Sequence, residues 1–235
     1  NAVAAHAGLS AKQEASVRLS SARCVLRVAA RFDRLVPFDV QTKLSLVMQD
    51  PDRGVRRDFA GDLGASVSRF QRQRPPQSHL AAKHAAWLAL AGADPNRENR
   101  QLATRQIVRY VVHAAENLRR LGERDRRSGL VVMRPEFSLV YVIHALAHHS
   151  DYPTASEAEE FGVNESYAPF QQMILFYLDA LSREGNYRDD RKGKAKRGGA
   201  GDGNLVFEAD ASLVEAVCKK VGECDDARGG TQGGT

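Results

Sequence analysis

A proline, a helical stretch, an aspartate-bearing break and a second helical stretch recur along this chain from Pro37, Pro76 and Pro135, at uneven spacing. No other feature of the sequence limits its fold as tightly. A helical hairpin has two apolar faces and cannot bury both alone, so hairpins repeating at roughly 40–60 residues must stack on one another. The composition agrees. Hydrophobic residues make up 43% and aromatics only 7%, a balance rich in Ala, Leu and Arg that favours helix over strand.

The segments can be placed from caps and periodicity. Ser10 and Gln13 form a capping box for a helix running to about Phe32, with Val17, Cys24, Val25, Val28 and Phe32 as its apolar stripe. A second helix starts near Asp39 and ends at Asp50-Pro51-Asp52. Asp52 caps a third, which carries Val55, Phe59, Leu63 and Val67 on one face and is weakened by Gly61 and Gly64. Pro75-Pro76 opens a helix through Trp87 that breaks at Gly92–Asn96, and a long helix follows from Leu102 to Leu121. The last pair begins at Pro135, breaks at Ser150–Pro153 and resumes after a cap at Asn164.

The expected fold class is therefore all-α, a solenoid of about three hairpins over residues 10–182. Residues 1–9 are expected to be a disordered start, and 183–204 a basic, Gly-rich linker or insertion containing Arg191–Arg197. A terminal helix over 205–222 and a disordered tail over 223–235 complete the division. The chain opens on Asn1 rather than Met, as a fragment or processed product would.

No apolar run approaches the ~20 residues of a membrane span. Three scattered cysteines, Cys24, Cys218 and Cys224, read as free thiols of a reducing compartment. No nucleophile elbow, phosphate loop or dinucleotide fingerprint is present, so neither catalysis nor a cofactor is expected. His144 and His148 stand at i and i+4, but Ala145 occupies the position of a metalloprotease's glutamate, and packing or turn-capping is the simpler role.

Charge is segregated. Residues 51–128 hold 16 Lys and Arg against 8 Asp and Glu, whereas 129–182 hold 1 against 7. The candidate interaction surface drawn from the basic block is Arg53, Arg56, Arg57, Arg97, Arg100 and Arg105. Solvated helix faces would give the same pattern. A phosphate-tracking stripe would also use Arg97, Arg100 and Arg105, but no aromatics are interleaved for base stacking, so any DNA contact would be weak, non-specific and salt-sensitive.

Leu46 to Phe59, with Asp at the turn and Val55-Arg56 early in the next helix, resembles the HEAT consensus. There the Asp caps the second helix, the Val packs into the hairpin and the Arg reaches a neighbouring repeat's turn. Three longer blocks are similar to one HEAT family, the plant-type Pds-five (precocious dissociation of sisters) cohesion proteins. They are Glu14–Val28 with Val36–Asp39, Asp50–Leu63, and above all Arg134–Ser150, whose Tyr141-Val142-Ile143-His144-Ala145-Leu146-Ala147-His148-His149 is the most specific. Val140 stands where that family usually has Pro, and the stretch after 185 has no clear counterpart.

The resemblance implies the C-terminal HEAT portion of a much longer nuclear cohesin regulator. Its implied partners are the kleisin subunit, a Wapl-type release factor and chromatin, and its implied roles are sister-chromatid cohesion and DNA repair. That family's inositol-phosphate and peptide sites lie outside the matching blocks, so no ligand residues carry over. A generic HEAT adaptor, of nuclear-transport or phosphatase-scaffold type, and a DNA-binding helical module are the alternative readings.

Overall fold

The computed structural model describes residues 9–73, 76–120, 134–154 and 163–183. The start of the chain, the acidic segment before Asn164, the linker, the terminal helix and the tail lie outside the described residues. The regular elements described are all helical: α1 (Ala11–Phe32), α2 (Phe38–Ser45), α3 (Arg53–Arg72), α4 (Ser78–Trp87), α5 (Arg97–Arg120), α6 (Ser138–Ala147) and α7 (Val163–Ser182). Short 3-10 turns at Leu46–Gln49 and Leu88–Ala93 finish α2 and α4, and another at Pro135–Phe137 leads into α6.

The helix starts follow local chemistry. Ser10 Oγ accepts from the Gln13 amide while Gln13 Oε1 accepts from the Ser10 amide at 2.8 Å, so the capping box is present. Asp52 Oδ1 accepts from Val55 N at 3.0 Å and starts α3. Asn96, read from sequence only as part of a break, does the same for α5, accepting from Asn99 N at 3.1 Å. α7 begins at Val163, which places Asn164 in its first turn.

α1, α3 and α5 pack side by side, α4 packs on α3, and α6 packs on α4. Between them Phe59, Leu63, Phe70, Leu88, Ile107 and Val142 are fully buried. At about 1.5–3 kcal/mol per buried side chain, such residues supply most of the force that holds the hairpins together. α3 is continuous despite its glycines. A Cβ at Gly64 would lie 2.2 Å from Gln106 Oε1 of α5, so Gly64 is where these two helices approach closely.

The structure corrects the reading of α1. Its inward stripe is Ala15, Leu19, Ala22, Leu26 and Ala29, all buried. Val17, Val28 and Phe32 are about half exposed and Cys24 is exposed, leaving only Val25 partly against the core. α1 carries two apolar stripes, and the one with alternating alanines lets it lie closer to α3. Bulk alone pointed to the other.

The last pair does not simply repeat the first two. α7 packs against Leu88–Ala93 and α5, while the turn after α6 reaches back to α2's turn, where His149 Nε2 and Gln49 Oε1 are 2.6 Å apart. Gly92 sits under α7, and a Cβ there would come within 2.8 Å of Met173 Cα. Tyr177, fully buried, ties α7 to α6 by donating to Ser138 Oγ at 2.9 Å.

Candidate interaction site

The six candidate arginines divide into two groups. Arg53, Arg56 and Arg57 open α3, and each has a carboxylate partner. Arg53 pairs with Glu98 in α5's first turn, and Arg57 with its neighbour Asp58 at 2.8 Å. Arg56 belongs to the interior: it is 9% exposed, and its Nε and Nη2 donate to Asp94 Oδ2 and Oδ1 at 2.7 and 3.1 Å. A partner can therefore meet Arg53 and Arg57 but not Arg56.

Arg56 is one rung of a repeated arrangement. Arg18 of α1 grips Asp50 in the same bidentate way, at 2.7 and 3.0 Å. Asp50 in turn accepts from Asp52 N, as Asp94 accepts from Asn96 N. Each aspartate thus folds its own turn and anchors the preceding long helix. Arg56 Nη1 also donates to the Asp50 carbonyl at 2.7 Å, and Arg100 repeats this bond to the Asp94 carbonyl. Burial would raise the Asp94 carboxyl pKa, but hydrogen bonds from Arg56, Asn99 and Asn96 N outweigh it and hold the group below its ordinary value. Asp50 is held low by the same balance, with Arg18 as the main donor.

Arg97, Arg100 and Arg105 lie on one face of α5, at i, i+3 and i+8. They line a cleft of about 560 Å³ whose other wall is Phe176, Asp179 and Arg183 of α7 and its end. Arg183 donates to Asp179 Oδ2 at 2.6 Å. Among the described residues Arg97 and Arg105 have no carboxylate partner, and both are exposed. Sequence reasoning missed the α7 wall. Phe176, Asp179 and Arg183 are spaced at i, i+3 and i+7, a helical face, but nothing in the sequence says which helix that face meets.

A second cleft, of about 340 Å³, opens where three turns converge and is lined by Gln49, Arg56, Asp94, His149 and Phe170 among others. His149 is held on both nitrogens: Nε2–H donates to Gln49 Oε1, and Nδ1 accepts from Asp151 N at 3.1 Å. Burial lowers its pKa below the ordinary value, outweighing the opposing charge of Asp151. His148 Nδ1–H donates to the His144 carbonyl at 2.9 Å, and both rings lie against Phe38. Among the described residues no group of His, Cys, Asp or Glu is placed to hold a metal ion, and no helix is long and apolar enough to cross a membrane.

Comparison with known proteins places this architecture. The family model described as "Sister chromatid cohesion protein PDS5 protein" matches residues 2–192. Sister chromatid cohesion protein PDS5 homolog B-A of Xenopus laevis is 23% identical over 206 residues, covering 80% of this chain and 13% of that protein. The PDS5 homolog B proteins of Mus musculus and Homo sapiens are each 25% identical over 146 residues, covering 61% of this chain and 9% of theirs. The chain thus spans about a tenth of the length of the curated relatives it matches. With a family match across most of its length, on a fold of stacked helical hairpins, the chain belongs to the PDS5 family of sister chromatid cohesion proteins.

Proposed function

We propose that this chain is a non-catalytic, protein-binding part of a cohesin regulator, acting in the nucleus on chromatin. In this reading it supports sister-chromatid cohesion, and with it chromosome segregation and DNA repair, by binding the kleisin subunit and a Wapl-type release factor. The observation that carries the reading is the family match over residues 2–192, which takes in all the described helices. The geometry is in keeping with it. The arginine rungs, Arg56–Asp94 buried and Arg18–Asp50 part-buried, stiffen the stack, and a stiff stack presents side chains in fixed register to a partner at little entropic cost. Residues 10–182 are the proposed working unit.

The test is cellular. In cells whose only copy of the parent protein lacks residues 10–182 but is present at normal abundance, sister chromatids are expected to separate before anaphase. Normal pairing in metaphase spreads would remove the reading.

A further inference from the structure

We propose that the cleft between the first turns of α5 and the end of α7 receives an extended acidic peptide segment of a partner protein, with its carboxylates on Arg97, Arg100 and Arg105 and an apolar side chain on Phe176. This deepens the protein-binding reading above and rests on it.

The rungs supply the first argument. Arg18 and Arg56 each meet the carboxylate of a following turn with two N–H groups. Arg100 repeats Arg56's bond to the preceding turn's carbonyl. Among the described residues, however, no carboxylate takes its remaining N–H groups, because the turn after α6 lies instead against Gln49. Arg100 therefore points guanidinium donors into an open cleft that Arg97 and Arg105 also line. Glu98, the acidic residue nearest to them on α5, is already taken by Arg53. Four arginines face one carboxylate, Asp179, which Arg183 occupies.

Spacing and shape select the ligand. Arg97 to Arg105 spans about 12 Å along the helix axis. Three carboxylates at alternate positions of an extended peptide span about 13 Å, so each can reach one guanidinium. The side chains between them point to the opposite face, and a flanking apolar residue can rest on Phe176, which is half-buried. A cleft of about 560 Å³ suits a few peptide residues. A nucleic-acid strand fits less well, since the cleft offers a single aromatic ring and places Asp179 on the wall its phosphates would follow.

The test uses the 235-residue chain and a short fluorescein-labelled peptide that alternates Glu with small residues and ends in Phe. The comparison probes are its Gln counterpart, its Lys counterpart and a single-stranded oligonucleotide of equal charge. Anisotropy should show saturable binding of the Glu peptide at moderate salt and at least about tenfold weaker binding of the Gln peptide. R97E/R105E, which alters two exposed side chains, should lose the Glu peptide by a similar factor and gain the Lys peptide. A circular-dichroism melt matching the parent's shows that the variant is folded. Equal binding of Glu and Gln peptides, an unchanged Glu affinity in R97E/R105E, or tighter binding of the oligonucleotide would each overturn the proposal. Kleisin capture by the same chain, measured in parallel, reports on the cohesion reading separately from the cleft.

Discussion

Arg56 of α3 and Asp94 of the following turn meet across 38 residues of sequence, through two hydrogen bonds of 2.7 and 3.1 Å, with both residues buried. The pair joins one hairpin to the next. Asn99 and the Asn96 amide complete the carboxylate's partners, so the geometry compensates the desolvation of both charges.

Removing one member leaves the other charged and buried. Arg56→Ala or Asp94→Ala should each destabilise the chain by about 3–5 kcal/mol. Urea unfolding followed by circular dichroism measures this. Arg57→Ala, whose side chain is exposed beside Asp58, should cost less than about 1 kcal/mol. Equal losses for Arg56→Ala and Arg57→Ala would contradict the rung.

Stability should fall between neutral and mildly acidic pH because of His84. That ring is fully buried, stacked on Trp87 at 4.8 Å, with Nδ1 3.1 Å from Ser66 Oγ. Burial, with a smaller push from Lys83, lowers its pKa from 6.5 to about 3. Between these values the unfolded chain takes up a proton that the folded chain refuses, so acid favours unfolding. The expected loss is about 2 kcal/mol between about pH 7.5 and pH 5. Burial of His149 acts in the same direction. Asp50 and Asp94 do not contribute in this window. Their folded values are depressed, so their stabilisation is present above the ordinary value of 3.8 and is lost only as pH falls below it. Urea midpoints of the parent and of His84→Gln at the two pH values separate the contributions, and an equal drop in both would exclude His84 as the cause.

Gly92 is required by contact, not by a turn. Its absent side chain makes room for the α7 backbone at Met173 and Gln172. Gly92→Ala should push α7 off the Leu88–Ala93 turn and cost about 2 kcal/mol. Hydrogen exchange localises the effect: α7 amides should lose protection while α1 amides keep theirs. Uniform protection in the variant would show that α7 does not rest there.

Leu146 is 3% exposed on α6. Leu146→Asp places an unpaired charge in the apolar core that α6 shares with its neighbours and should unfold the last pair, at a cost of about 3 kcal/mol or more. Circular dichroism should show lower helicity and an earlier melt, and an unaltered melt would mean that Leu146 does not pack in the core.

How far the sequence was legible differs by element. The caps at Ser10 and Asp52 and the reach of Arg56 to a neighbouring turn were readable, because each depends on a residue type at a fixed local spacing. The buried face of α1 was not, since two apolar stripes compete there and the smaller side chains win by allowing closer packing. The place of α7 was not readable either. It is decided by a hole at Gly92 and by the Tyr177–Ser138 bond, both long-range. For the same reason Arg97, Arg100 and Arg105 could be seen as one face, while Phe176 and Arg183 opposite them could not.

The proposed function requires that this stack of hairpins bind cohesin. Biolayer interferometry of the 235-residue chain, shown to be helical by circular dichroism, against immobilised recombinant kleisin subunit tests it most directly. Saturable binding that Leu146→Asp abolishes is the predicted result. A well-folded chain that gives no signal against kleisin, or one equal to that on an unrelated acidic protein, would rule that binding out.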